Sequence, residues 1–371
     1  MNVYVVCRNF YLYESKSINV GGIETYILNL IPLLNDLGEV TIIQQSDNDF
    51  DVKWGECSII GVKTVHLKEK RKNVLLVKTA ERLAANLDED LLLFADDQIV
   101  TTSCFRKSMA IQHGISWDVP KYNVGERFDS LFIFWRAYHA NKIIRRIKKV
   151  NKLICVDYNF LSWYRTQVPN IRPIDVITNF TQIASEQNRK PENVKNIIFA
   201  RRFQWYRGTA IMIDVTKKLL ADYSNVQVTF AGSGPEYKSI ANNFENEERV
   251  RILQYKSEDS LLIHCDQHIA VIPTIGSEGT SLSLLEAMAS SCAVVCSNVG
   301  GMTNIVLDNY NGLITNPNAD DIYCAIKKYL DDERYREFVA KNAYNSVLKS
   351  FSKEKWKEKW QTVLDGFKEI N

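Results

Sequence analysis

Between Val271 and Val295 the chain reads VIPTIGSEGTSLSLLEAMASSCAVV, which sets two carboxylates, Glu278 and Glu286, on either side of one strand-to-helix turn. The apolar run His268–Ile272 predicts a buried parallel strand and Gly276–Gly279 a turn, while Leu282, Leu285, Met288 and Ala289 have helical spacing over Ser281–Ser290. Such a loop brings a ligand to a helix N-terminus, where unpaired N–H groups and the dipole favour an anion, and Gly279 lets backbone approach a phosphate closely. Ser283-Leu-Leu-Glu286 also fits a capping box, in which Glu286 only closes the first helical turn, and Glu278 also fits a solvated turn residue.

Four further groups could serve an anion or a sugar. The segment FARRFQWYRG leaves Arg201 and Arg207 on the loop after an apolar strand, and a guanidinium fork suits bidentate phosphate binding. Ala231-Gly-Ser-Gly-Pro235 ends the next strand in a glycine turn that lacks the third glycine of a dinucleotide fingerprint, so Gly232 lets a nucleotide or a neighbouring backbone come close. Gly21-Gly22-Ile23-Glu24 could cradle a phosphate or relieve crowding at a helix start. His113 directly follows the apolar run Met109–Gln112, at a strand end where ligands sit in open α/β sheets. The triplet Asp88-Glu89-Asp90 has the D-x-D pattern of divalent-cation sites, but it precedes a strand and recurs at Asp49–Asp51 and Asp331–Glu333, so none is expected to hold a metal.

Elements able to position these residues alternate along the chain. Strands are predicted at Asn2–Cys7, Val40–Gln45, Leu91–Ala95, Met109–Gln112 and Lys152–Val156, with helices over Gly22–Leu37, Val74–Leu87 and Ser130–Val150. The polar stretch Val176–Val194 reads as an interdomain linker, after which strands recur at Asn196–Ala200, Val226–Ala231, Val250–Gln254, His268–Ile272, Ala293–Cys296 and Gly312–Thr315. Such alternation implies two parallel, doubly wound α/β sheets, as a length of 371 residues also suggests. A terminal helix over Ser352–Ile370 would dock Trp356, Trp360, Val363 and Phe367 on a domain surface.

With Lys+Arg at 46 and Asp+Glu at 44, the net charge of +2 gives no bulk reason for a nucleic-acid partner. Residues 136–152, RAYHANKIIRRIKKVNK, form a basic amphipathic segment that suits either a solvated helix face or an anionic membrane surface, and Lys68–Lys72 is a second basic run. Eight scattered cysteines without a C-x-x-C pair read as buried free thiols of a reducing compartment, and MNVYVVC lacks the marks of a signal peptide, so a cytoplasmic protein is expected.

Taken together, these motifs resemble the retaining, sugar-nucleotide-dependent glycosyltransferases of family 4 (glycosyl transferases group 1), of the bacterial polysaccharide type. Glu278 and Glu286 match the family's Glu-x7-Glu motif, and Arg201 and Arg207 its Gly-Arg…Lys-Gly phosphate pair. His113 matches its amino-terminal histidine, Gly21-Gly22 and Glu24 its Gly-Gly-x-Glu element, and Asn311-Gly312-Leu313 its Asn-Gly-Leu turn. Ala200 stands where the motif has glycine, Arg207 where it has lysine, Thr280-Ser281 where it commonly reads Phe-Gly, and Ser291 where a glycine follows the helix.

The resemblance implies the GT-B fold: two Rossmann-like domains facing across a cleft, with an acceptor-binding domain over 1–180, a nucleotide-sugar domain over 181–350, and a helix over 351–371 packing back on the first. It implies transfer of a sugar from a nucleoside diphosphate to an acceptor hydroxyl with retention, without metal or other cofactor. Arg201, Arg207 and the backbone of Gly279, Thr280, Ser281 and Leu282 would neutralise the departing diphosphate. Glu286 would hold the ribose, Glu278 would face the donor sugar, and His113 would contact that sugar or the acceptor. The partners implied are a nucleotide sugar and a saccharide or lipid-linked acceptor, in the cytoplasm or on the inner face of a membrane. An epimerase or hydrolase on the same scaffold, or a silent nucleotide-sugar-binding subunit, are the alternatives.

Overall fold

The computed structural model describes residues 1–19, 21–115, 118, 129–168, 174–183, 193–276 and 278–368. It divides into two compact units: residues 1–113, 124–177 and 357–371, and residues 114–123 and 178–356.

The first unit comprises β1 (Val3–Cys7), β2 (Tyr11–Leu12), β3 (Ser17–Ile18), α1 (Gly22–Asn35), β4 (Val40–Ser46), β5 (Phe50–Trp54), β6 (Cys57–Lys63), α2 (Glu69–Leu83), β7 (Leu91–Phe94), β8 (Lys107–Gln112), α3 (Asp129–Ile147), β9 (Lys152–Cys155), α4 (Tyr158–Gln167) and β10 (Ile174–Val176). Its sheet runs β10-β9-β8-β7-β1-β4-β6-β5, all parallel except β5, which pairs antiparallel with β6. The sequence leaves β5, β6 and β10 unpredicted. In β5 Asp51 and Lys53 alternate with half-buried Phe50, Val52 and Trp54, the mark of an edge strand, and Gly55 at φ +55° turns the chain into β6.

The second unit comprises β11 (Lys195–Ala200), α5 (Thr209–Asp222), β12 (Val226–Ala231), α6 (Tyr237–Phe244), β13 (Val250–Leu253), α7 (Ser260–His264), β14 (Ile269–Ile272), α8 (Leu282–Ala289), β15 (Ala293–Ser297), β16 (Leu313–Thr315), α9 (Ala319–Asp331) and α10 (Glu333–Ser350). Its parallel sheet runs β13-β12-β11-β14-β15-β16, so chain order reverses direction between β11 and β14. Successive side chains of one strand feed opposite faces: Ile197 and Phe199 join one core with Ile269, Val271 and Val295, whereas Ile198 and Ala200 join the other with Ile272 and Leu285.

The last helix, α11 (Lys353–Lys368), buries Trp356, Trp360, Val363 and Phe367, the face that its spacing predicts. Trp360 Nε1 donates to Tyr26 Oη at 2.9 Å within the first unit. The expected linker divides: Thr181 bridges to Ser352 and accepts order from that pairing, while residues 184–192 lie outside the described residues. Six cysteines are buried as expected, but Cys104 and Cys324 are exposed. Among the described residues, no helix is long and apolar enough to cross a membrane.

The basic segment 136–152 is not one face. Arg136 lies over the Phe132 ring at 4.5 Å, Lys152 belongs to β9 and pairs with Asp175 at 2.5 Å, and burial lowers the Arg146 pKa against the opposing pull of Asp97 and Asp96. Lys142, Arg145, Lys148 and Lys149 remain exposed. The first two continue a stripe with Phe134 and Tyr138, also exposed, while Ala140, Ile143 and Ile147 are buried. Lys68–Lys72 forms the entry and first turn of α2, where Lys72 pairs with Glu69 at 3.0 Å.

Candidate active site

In an open parallel sheet, ligands sit beyond the carboxyl ends of the strands where strand order reverses. In the second unit that point lies between β11 and β14, and the chain puts Arg201 just after the first and Thr274 and Glu278 just after the second. Arg201 N–H donates to Ala231 O at 2.9 Å, extending the ladder past the strand. The Arg201 carbonyl then lies where a side chain on residue 232 would begin: a Cβ on Gly232, at φ +147°, would stand 1.9 Å from it. Of the two sequence readings of Gly232, the structure shows the close approach of neighbouring backbone.

Arg207 closes a single 3-10 turn over Trp205–Arg207. Its guanidinium and that of Arg201 converge on one atom: Glu278 Oε2 accepts from Arg201 Nη2 at 2.7 Å, from Arg207 Nη1 and, at 3.3 Å, from Thr274 Oγ1. Arg201 Nη1 also donates to Thr274 Oγ1. Arg201, Thr274 and Glu278 are buried. Burial brings Arg201 down to about 10, and burial with the adjacent Arg201 charge brings Arg207 down to about 9, so both stay cationic at neutral pH. The backbone of Glu278 is fixed from the other side, because its carbonyl accepts from Gly301 N–H at 3.1 Å and Gly300, at φ +56°, leaves no room for a Cβ, which would stand 2.0 Å away. Glu278 is therefore no solvated turn residue.

Helix α8 starts at Leu282 with Ser281 as its N-cap, and Thr280 O accepts from Asn179 Nδ2 at 2.7 Å. The Ser281 hydroxyl is buried and has no hydrogen-bond partner among the described residues. The capping-box reading of Glu286 is overturned: no side chain caps α8, and Glu286 accepts from Ser260 Oγ at 2.5 Å across to α7. Burial raises the Glu286 pKa, and burial together with the Glu286 charge pushes Tyr255 up to about 12. Ser291, in the glycine position of the motif, keeps the left-handed backbone at φ +56°.

In the first unit, His113 Nε2 lies 2.9 Å from Ala95 O. A carbonyl only accepts, so Nε2 carries the proton, and burial lowers the ring's pKa, leaving it neutral with Nδ1 as its acceptor. Tyr26 packs edge-on at 5.4 Å. Gly21 is the extended N-cap of α1; a Cβ on it would stand 2.1 Å from the end of the flexible Glu24 side chain, and one on Gly22 would meet nothing within 4 Å. Asp90 of the first acidic triplet accepts from Asn2 N and Asn86 N, Asp49 from Lys63 N, and Asp332 caps α10, so each triplet has a structural use.

Sequence reasoning missed Asp96 and Asp97 at the carboxyl end of β7. Asp96 accepts from Gln98 N at 2.9 Å and pairs with Arg8 at 3.3 Å across the point where this sheet reverses order, between β1 and β7. Burial and the Asp96 charge hold the Asp97 pKa well up. An acidic pair directly after an apolar strand was the available signal. Beside Arg8 opens a cavity of about 570 Å³ with Asn9, Tyr13, Gln45, Asn48 and Lys72 on its walls.

A family model described as glycosyl transferases group 1 matches residues 180–346. An uncharacterized glycosyltransferase of Methanocaldococcus jannaschii is 23% identical over 95% of this chain and 94% of its own length. The N,N'-diacetylbacillosaminyl-diphospho-undecaprenol alpha-1,3-N-acetylgalactosaminyltransferase of Campylobacter jejuni is 31% identical over 61% of this chain, which spans only 58% of that enzyme. In fold, sucrose-phosphate synthase from Thermosynechococcus elongatus superposes with a TM-score of 0.76 at 17% identity, covering 98% of each chain. The chain thus has the GT-B fold of two Rossmann-like units, and the second unit contains the residues that match the group 1 model.

Proposed function

We propose that this enzyme transfers a sugar from a nucleoside diphosphate sugar to a hydroxyl of a saccharide acceptor, with retention and without a metal. The observation that carries this reading is the convergence of two buried or half-buried guanidinium groups, Arg201 and Arg207, at the switch point of the second sheet. Two fixed cations suit the charge that grows on a departing diphosphate. The start of α8, with a Ser281 hydroxyl that has no partner among the described residues beside the amides of Gly279 and Leu282, supplies further donors. In the reaction the bond from the anomeric carbon to the phosphate oxygen breaks, its electron pair leaves with the diphosphate, the acceptor oxygen bonds to the same face, and its proton passes to the phosphate. Glu286 accepts from the ribose hydroxyls and Glu278 faces the donor sugar; in the first unit, neutral His113 presents Nδ1 as an acceptor for a hydroxyl.

The decisive assay incubates the protein with UDP-, GDP- and ADP-sugars and saccharide acceptors, then reads the anomeric configuration of the product by NMR. Retention with activity undiminished by EDTA is expected. Inversion, a requirement for added Mn²⁺ or Mg²⁺, or free sugar or an epimer formed at the same rate without acceptor would contradict the proposal.

For the acceptor we favour a lipid-linked saccharide, as the Campylobacter relative is named for a diphospho-undecaprenol acceptor. The exposed stripe of α3, Phe134 and Tyr138 continuing into Lys142 and Arg145, has the aromatic and cationic make-up of a helix lying on an anionic bilayer. The protein is expected to sediment with phosphatidylglycerol vesicles at low salt, and the double variant Phe134→Ser, Lys142→Glu to remain in the supernatant; equal sedimentation of the two would remove the stripe from the membrane contact.

A further inference from the structure

The two arginines are already engaged. Glu278 Oε2 receives Arg201, Arg207 and Thr274 at once, at a buried point where a diphosphate would need the same donors. We propose that Glu278 is an internal anion that exchanges with the diphosphate: its carboxylate holds the two guanidiniums until the donor's phosphates take them, and takes them back when the nucleotide leaves. This rests on reading the arginine pair as the donor-diphosphate site, and it adds to Glu278 a positioning role besides facing the sugar.

Charge favours such an exchange. One carboxylate supplies a single negative charge against two guanidiniums, and burial together with the Arg201 charge already depresses the pKa of Arg207. A diphosphate brings more charge and more acceptor oxygens to the same donors. The exchange also needs little motion. The Glu278 carbonyl stays pinned by Gly301 N–H at 3.1 Å, with Gly300 packed on it, so only side-chain torsions of Glu278 have to change. The freed carboxylate then remains in the loop that enters α8, within the donor site.

An internal competitor lowers the apparent affinity for its rival by the fraction of molecules in which the site is open. Removing the Glu278 charge should therefore tighten anion binding while it slows turnover, opposite to what loss of a simple binding contact does. By calorimetry, Glu278→Gln should bind inorganic pyrophosphate and whichever of UDP, GDP or ADP the wild type prefers about tenfold tighter, with kcat reduced. Thr274→Val keeps all three charges and removes one donor from the carboxylate and one acceptor from Arg201; it should tighten the same ligands by a smaller factor and keeps the test open if Glu278→Gln fails to fold. A crystal structure with pyrophosphate should show its oxygens on both guanidiniums and Glu278 displaced.

Wild-type nucleotide binding with equal or weaker binding in the folded variants would overturn the exchange and leave the donor-site reading standing. Pyrophosphate bound elsewhere with Glu278 still on both arginines would also overturn it. If folded wild type binds none of the three nucleoside diphosphates, the donor-site reading falls, and the exchange with it.

Discussion

Arg201→Ala is expected to lower kcat by about 10²–10³-fold, the range found when one preorganised donor is taken from a developing oxyanion. Arg201 is the more buried of the two arginines and the only one that also reaches Thr274, so its fork is held in place before the substrate arrives. Arg201→Lys keeps the charge but loses the planar fork, and should fall between wild type and alanine. The alanine variant also leaves Glu278 with fewer donors in a buried place, which should reduce stability by about 1–3 kcal/mol. Thermal melts and steady-state kinetics on the folded fraction separate the two effects. Wild-type kcat in a folded Arg201→Ala protein would remove Arg201 from the reaction.

The largest expected effect on stability lies far from the arginines. Trp360 is fully buried on α11, packs edge-on against Tyr26 with ring centres 6.1 Å apart, and donates its indole N–H to the Tyr26 hydroxyl. Trp360→Ala should cost about 3–5 kcal/mol through lost burial and the cavity left behind. Tyr26 would lose a donor, although its own hydroxyl still reaches Ile177 O at 3.3 Å. Urea unfolding followed by circular dichroism should show the drop as a lower midpoint, with Trp360→Phe losing less. A midpoint shift too small to measure would mean that α11 contributes little to holding the first unit.

Patterns that lie within one element were legible in the sequence. The strand at Val226–Ala231 has its predicted bounds, and the spacing of Trp356, Trp360, Val363 and Phe367 gives the buried face of α11. Contacts with partners distant along the chain were not legible in that way. The first carboxylate of the Glu-x7-Glu pair meets Arg201 and Arg207, 77 and 71 residues away, because strand order reverses between β11 and β14. Glu286 looked like a capping residue because Ser283 lies at the right spacing, but its actual donor, Ser260, is 26 residues upstream on another helix. The β5–β6 hairpin escaped because alternating Asp51 and Lys53 hide a strand whose outer edge pairs with no other strand among the described residues. Ser291 shows the converse: the motif's glycine is gone, yet its left-handed backbone remains.

The margins of the two sheets bear on how this protein behaves in concentrated solution. An open edge of unpaired amides can template a strand from a second chain, and short or charged edge strands discourage it. Here β10 and β16 have three residues each, β13 has four with Arg251 exposed, and β5 turns Asp51 and Lys53 outward. Among the described residues neither sheet thus presents a long apolar margin, and edge-to-edge misassembly is disfavoured by strands of which the sequence shows β13 and β16 but hides β5 and β10.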